Sequence, residues 1–316
     1  MTGLPRVLRE RFGDLVREVM LRDLTTWRIG GPSAMLDLPA VQTACDAVGF
    51  LDELGASRFV LGRGSNLLAS DAGFDGVLLR LCSELQTVAW KREAGRFEVR
   101  AGGGASLPRL SGVACMKGAS GLTFAVGIPG TLGGAVCMNA GAYGSCVGNF
   151  VSEVEVVAPG GRREILSSTE CDFGYRRSRF QGSGSVIASA ALLLPEGAPE
   201  ALRRDARDIL EKRRKAFPLH RPNAGSVFRR PKDGPAPGFL IEKAGLKGTR
   251  VGGAAVSDIH ANFIVNCGNA TSSDVAGLIR IVKDAVLKEF GISLVEEIVY
   301  LGFDGRDQGL NGQAHG

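Results

Sequence analysis

Aromatic side chains make up only 6% of this 316-residue chain, and histidine occurs three times. No basic stripe is interleaved with those aromatics, so the stacking-and-charge pattern of a nucleic-acid binder is missing. No apolar run reaches the roughly 18–20 residues that a membrane-spanning helix needs. The opening MTGLPRVLRERFGDLV has the spacing of an amphipathic helix and lacks a signal-peptide core, so a cytoplasmic protein is expected. The seven cysteines (Cys45, Cys82, Cys115, Cys137, Cys146, Cys171 and Cys267) are odd in number and never form a C-x-x-C pair. That argues against a disulfide framework and against a zinc site; no metal is expected, and the thiols fit small core residues. The net charge of +5 is too mild to name a partner.

What the chain has in quantity is glycine, 45 residues of it, in a composition 44% apolar and 22% charged that suits a globular protein of two or three domains. Eight glycines fall between Gly118 and Gly144, in GASGLTFAVGIPGTLGGAVCMNAGAYG. Such density costs conformational entropy on ordering, and is kept where a side chain would be in the way. Tight glycine turns present backbone N–H groups that suit a phosphate or diphosphate. Apolar residues between them, Leu122, Phe124, Ile128, Leu132 and Met138, could anchor the loops on a core. A second candidate loop is GRGSNLL, Gly62 to Leu68. It is no dinucleotide fingerprint, because Leu67 stands where a third glycine would be, and no G-K-[ST] follows.

In chain order, residues 6–19 place Val7, Leu8, Phe12, Leu15 and Val16 on one helical face, and residues 41–54 do the same with Ala44, Val48 and Leu51. Between them a Gly-Gly-Pro turn at 30–32 leads into a strand. A β-rich middle holds GVLLRL, FEVRAGGG, VSEVEVVAP and SVIASAALLL, and a helix over 200–215 ends in a basic run that suits its dipole. Past Pro218 the composition changes to a further unit with a helix over 273–290, stopped by Gly291, and a last strand in ISLVEEIVYLGF. The polar tail from Asp304 is expected to lack structure. The interleaving predicts an α+β fold.

Five segments in order, GRGSNLL, GIPGTLGGAVCMNAGAYG, YRRSRF, PNAGSVFRRP and HANFIVN, resemble the UDP-N-acetylenolpyruvoylglucosamine reductase family, flavoenzymes of bacterial peptidoglycan precursor synthesis. The resemblance runs from about Thr25 to Gly302. It implies an FAD-binding unit of the vanillyl-alcohol-oxidase type in two subdomains, residues 1–84 and 85–198, then a substrate-binding domain over 199–303 and a tail over 304–316. It implies reduction of FAD by NADPH and of the substrate's enolpyruvyl ether by the flavin, in a monomer that takes a UDP-sugar and neither nucleic acid nor membrane. The alternative is another FAD-dependent oxidoreductase of the same fold, acting on a different alcohol or sugar.

By this resemblance the cofactor is held by Gly62, Arg63, Gly64, Ser65, Asn66 and Leu67, and by Gly127, Ile128, Pro129, Gly130, Gly133, Gly134, Asn139 and Ala142. The catalytic positions fall on Arg176 of YRRS, Ser226 after Gly225, and Glu297 of the last strand. Tyr143, Arg229 and Arg230 line the substrate side. Addition of hydride to an enolpyruvyl β-carbon leaves an enolate. A guanidinium beside its carboxylate stabilises that charge, and a proton donor completes the reduction at the α-carbon. From the residues alone, Arg176 could equally be a surface arginine, Ser226 a turn residue and Glu297 the outward member of a Glu296–Glu297 pair. Fifty positions separate Arg176 from Ser226, short for the family and similar to its second type, which lacks a tyrosine-bearing lid. Val295 stands where many relatives have a first glutamate.

Overall fold

The computed structural model describes residues 3–303, so the tail from Asp304 lies outside the described residues. Helix α1 (Leu4–Phe12) is shorter than the 6–19 pattern predicts. Gly13 adopts φ 56°, outside the helical region, and one 3-10 turn later the chain is extended as β1 (Val16–Met20). Leu15 and Val16 therefore belong to that turn and strand. The strand β2 (Pro32–Leu38) follows the Gly-Gly-Pro turn, and α2 (Val41–Glu53) buries Ala44, Val48 and Leu51 as its spacing predicts, and Ala47 besides. Then come β3 (Arg58–Val60), β4 (Leu67–Ala69), β5 (Val77–Leu81), β6 (Val88–Glu93) and β7 (Arg96–Gly102).

The glycine-rich stretch begins at the end of α3 (Leu107–Lys117), where Gly118 takes the left-handed conformation that closes a helix. It continues through α4 (Leu132–Cys137) into a hairpin, β8 (Gly141–Ala142) and β9 (Ser145–Cys146). Long antiparallel strands follow, β10 (Val151–Ala158), β11 (Arg162–Ser167) and β12 (Val186–Pro195), then α5 (Pro199–Ala216) and α6 (Pro237–Lys243). A small sheet, β13 (Arg250–Val251), β14 (Ala254–Val256) and β15 (Ile264–Asn266), precedes α7 (Ser272–Phe290) and β16 (Val299–Leu301). The predicted last strand is thus mostly irregular chain: Val299–Leu301 pairs in parallel with β4, and ahead of it Glu296 makes an isolated antiparallel bridge to Phe228.

The described residues divide into two compact units. The first is built from the chain up to Arg17, from Ala34–Arg63 and from Gly76–Lys212. In it, β2, β5 and β3 pair in parallel, and β11-β10-β12-β7-β6 form an antiparallel sheet. The edge strands β6 and β11 carry Lys91, Arg92 and Glu93, and Arg162, Arg163 and Glu164, charges that discourage further pairing. Leu107, Leu110, Leu132 and Val136 of α3 and α4 pack on Val99, Val154 and Leu192 of that sheet; Leu8, Val48 and Leu51 pack on Leu36 and Leu79 of the parallel strands.

The second unit takes Glu18–Ser33, Gly64–Asp75 and the chain from Arg213 on. Helix α7 supplies its core with Val275, Leu278, Ile279, Val282 and Val286, packed with Trp27, Val227, Phe228 and Ile264. A capping box between Thr271 and Asp274 opens this helix, and Gly291 at φ 68° ends it, as predicted.

Candidate active site

Glycine in the first loop is required by close approach. A Cβ on Gly62 would lie 2.9 Å from the Thr131 hydroxyl, and one on Gly64, at φ 58°, would run into the Leu24 carbonyl oxygen. Gly62 and Arg63 are exposed, Gly64 is buried, and Ser65 and Asn66 are half-buried. Leu67, by contrast, is buried in β4, where it pairs with Val299. Gly62 thus meets the second glycine loop at Thr131, within the first unit. Thr131 caps α4 by accepting from the Gly134 N–H, and the N–H groups of Leu132 and Gly133 donate to Ala105 and Gly103. The start of α4 is therefore satisfied by protein. Exposed Gly134 leaves its outer side bare, and Gly127, Ile128, Pro129 and Gly130 form the turn leading in, with Gly130 at φ 144°.

Asn139 is buried at φ 42°, and its side chain works as a clamp. Its amide donates to the Gly174 carbonyl at 2.8 Å, and its oxygen accepts from the Gly148 N–H at 2.9 Å. The clamped segment carries Arg176 at the tip of a tight turn, in which Gly174 and Arg177 exchange backbone bonds. Arg176 itself adopts φ 52°, a strained conformation for a non-glycine residue and one that recurs at functional sites. Its guanidinium donates to the Gly141 carbonyl at 3.1 Å and lies 5.3 Å from the centre of the Tyr175 ring. Arg177 is bound to Asp172, and Arg179 donates to the Glu170 carbonyl, which separates Arg176 from its two neighbours. Ala142 and Tyr143 belong to the same hairpin as Gly141, with Tyr143 and Gly144 both at positive φ in its two-residue turn. Tyr143 is exposed. The nearby Cys137 thiol is pushed up to about 11 by burial, which makes it an inert core thiol.

The remaining residues lie in the second unit. Asn223 accepts from the Gly225 N–H, forming the turn ahead of Ser226, which is half-buried. Past a bend at Val227 the chain pairs with the 295–297 segment: Arg229 N–H donates to Val295 at 2.8 Å and Glu297 N–H donates to Val227 at 2.7 Å. Phe228 and Glu296 are therefore directly opposite, and share a face. The Glu296 carboxylate accepts from Lys283 of α7 at 2.9 and 3.0 Å. Alternation turns Glu297 to the other face, on which Arg229 stands opposite Val295. The Asn66 amide donates to the Glu297 carbonyl at 2.9 Å, so the glycine loop and the Glu297 segment are joined within this unit. The Arg229 Nε is buried without a partner among the described residues, while Arg230 is exposed.

Sequence reasoning missed Thr131 and Asn262. Asn262 brackets Phe228 like a strand partner, accepting from its N–H at 3.0 Å and donating to its carbonyl at 2.9 Å. The S/T before a helical run was a signal for Thr131; nothing local marks Asn262. His260 beside it is a structural hydrogen-bonder, its Nδ1 accepting from the Asn262 N–H and its ring edge-on to Phe217 and Phe263.

Residues 37–167 match the family profile described as FAD binding domain, and residues 217–301 that of the UDP-N-acetylenolpyruvoylglucosamine reductase C-terminal domain. The chain is 41% identical over 305 residues to the UDP-N-acetylenolpyruvoylglucosamine reductase of Heliobacterium modesticaldum, covering 96% of this chain and 95% of that one. To the reductase of Moorella thermoacetica it is 44% identical over 281 residues, covering 88% and 90%. The crystal structure of UDP-N-acetylenolpyruvylglucosamine reductase from Thermus caldophilus matches with a TM-score of 0.78 at 35% identity, covering 90% of this chain and 98% of that one. Similarity of this extent, running through both glycine loops and the segments of Arg176, Ser226 and Glu297, means that the chain belongs to the UDP-N-acetylenolpyruvoylglucosamine reductase family.

Proposed function

We infer that the chain is an NADPH-dependent flavoenzyme that reduces UDP-N-acetylenolpyruvoylglucosamine to UDP-N-acetylmuramate, a step of peptidoglycan precursor synthesis. The observation that carries this is 41% identity to a reductase of that name over 96% of the chain. The glycine loops suit FAD: Gly134 leaves a bare helix face, and the close packing of Gly62 on Thr131 and of Gly64 on Leu24 keeps the first loop tight. The first amides of α4 are already bonded, so the loop from Gly62 to Asn66 would hold the diphosphate, and Gly133 and Gly134 would allow close approach. FAD held there would supply the hydride chemistry that links NADPH to the substrate's β-carbon.

The chain's own residues handle charge and proton. Arg176, pre-set by its turn and by the Asn139 clamp, holds the enolpyruvyl carboxylate as negative charge develops there. Ser226 gives its proton to the α-carbon, and the carboxyl O–H of Glu297 donates to the enolate oxygen. Arg229, with its buried Nε, and Arg230 hold the UDP diphosphate, and Tyr143 lines the substrate side. Residues 1–84 and 85–198 act as the two FAD-binding subdomains and 199–303 as the substrate-binding domain, in a cytoplasmic monomer. Among the described residues no helix is long and apolar enough to cross a membrane.

The test is mass spectrometry of the nucleotide sugar after incubation with FAD-loaded protein and NADPH. The product carries two added hydrogens. An unchanged substrate mass, with flavin bound, would remove this reaction and leave the flavoprotein fold.

A further inference from the structure

Two glutamates stand side by side at 296 and 297, in a segment held by single hydrogen bonds to Val227, Arg229 and Asn66 and not by a continuous strand. Residues 297 and 298 belong to no strand, and β16 begins only at Val299. The inward face of this segment is defined by Leu294 and Ile298, 2% and 3% exposed. Glu296 falls between them on that face, opposite Phe228, which packs in the same core as Val282 and Val286 of α7. A carboxylate there, three-quarters removed from solvent, is costly without a partner. Lys283 supplies the partner, its ammonium within 3.0 Å of both carboxylate oxygens.

We propose that Lys283 is a positioning residue for Glu297: by neutralising Glu296 on the inward face, it keeps the segment in the register that turns Glu297 to the opposite face. This rests on the role given to Glu297 above. With Lys283 lost, relief comes from rotating Glu296 outward, and a twist at one residue of an extended chain displaces its neighbour. Glu297 then leaves its place although nothing that touches it has been changed. The Asn66 bond to the Glu297 carbonyl holds only the backbone, and does not discharge Glu296.

The experiment is stopped-flow kinetics of the FAD-loaded full chain, following flavin reduction by NADPH and reoxidation by substrate separately. Lys283→Met keeps the apolar stem and removes the charge; it leaves flavin reduction at the wild-type rate and slows reoxidation about 10- to 100-fold, the scale of an ångström-sized misplacement. Adding Glu296→Leu, which removes the stranded carboxylate, restores reoxidation to within a few-fold of wild type. Normal FAD content and reduction rate in these variants establish that they fold. Wild-type reoxidation in Lys283→Met, alongside slow reoxidation in Glu297→Gln, would overturn the positioning role alone. A double variant no faster than Lys283→Met would also overturn it. Normal reoxidation in Glu297→Gln would remove the role of Glu297 and, with it, that of Lys283.

Discussion

Arg176 is distinguished from its neighbours by what the neighbours do. Arg177 pairs with Asp172 and Arg179 with the Glu170 carbonyl; Arg176, bonded to the Gly141 carbonyl, is the one of the three at positive φ in a clamped turn. For Ser226 the expected effect is an asymmetry between half-reactions. Ser226→Ala leaves reduction of the flavin by NADPH near its normal rate and slows reoxidation by substrate by about 10²- to 10⁴-fold, the usual worth of a positioned proton donor. Equal slowing of both would make Ser226 structural. His260 has a different, purely stabilising role, and a pH signature. Burial holds its imidazole below the usual value, so the folded state keeps it neutral where the unfolded chain takes up a proton. Its contribution is present above the unfolded value of about 6.5 and is lost as pH falls below it. Thermal melts should show the advantage of the native protein over His260→Gln shrinking between pH 7.5 and pH 5.5. A gap that widens on acidification would contradict the neutral, buried histidine.

At the scale of elements, the parts written in local pattern were legible from sequence. The apolar stripes of α2 and α7 appear as spaced, and α7 ends at Gly291. The glycine loops were legible as places where a side chain would not fit, and Gly62 and Gly64 bear this out. What failed was decided by single residues against a pattern. Gly13 cuts the first helix short although Leu15 and Val16 continue its apolar face, and the last strand is mostly irregular because residues 295–297 pair with the turn-bearing Ser226 segment. The pairing of Glu296 with Lys283 was not legible, since Lys283 lies thirteen residues away on α7 and has no sequence mark. Gly64→Ala tests the first loop as an element. A methyl there meets the Leu24 carbonyl, so the purified variant should keep its fold by circular dichroism and lose most of its bound FAD by flavin absorbance. Full flavin occupancy would place the cofactor away from this loop.

At the scale of the molecule, similarity covers 95% of one curated relative and 90% of another. The architecture was less legible than the family. That Glu18–Ser33 and Gly64–Asp75 join the second unit follows from pairings such as Trp27 Nε1 to the Ile264 carbonyl and β4 with β16, across more than two hundred residues. Distant partners of this kind leave no local trace. The most direct measurement on the whole molecule is NADPH oxidation by the FAD-loaded protein, with and without UDP-N-acetylenolpyruvoylglucosamine. The account predicts turnover that depends on the enolpyruvyl nucleotide and stops when it is exhausted. Bound flavin whose NADPH oxidation is indifferent to that substrate would contradict it.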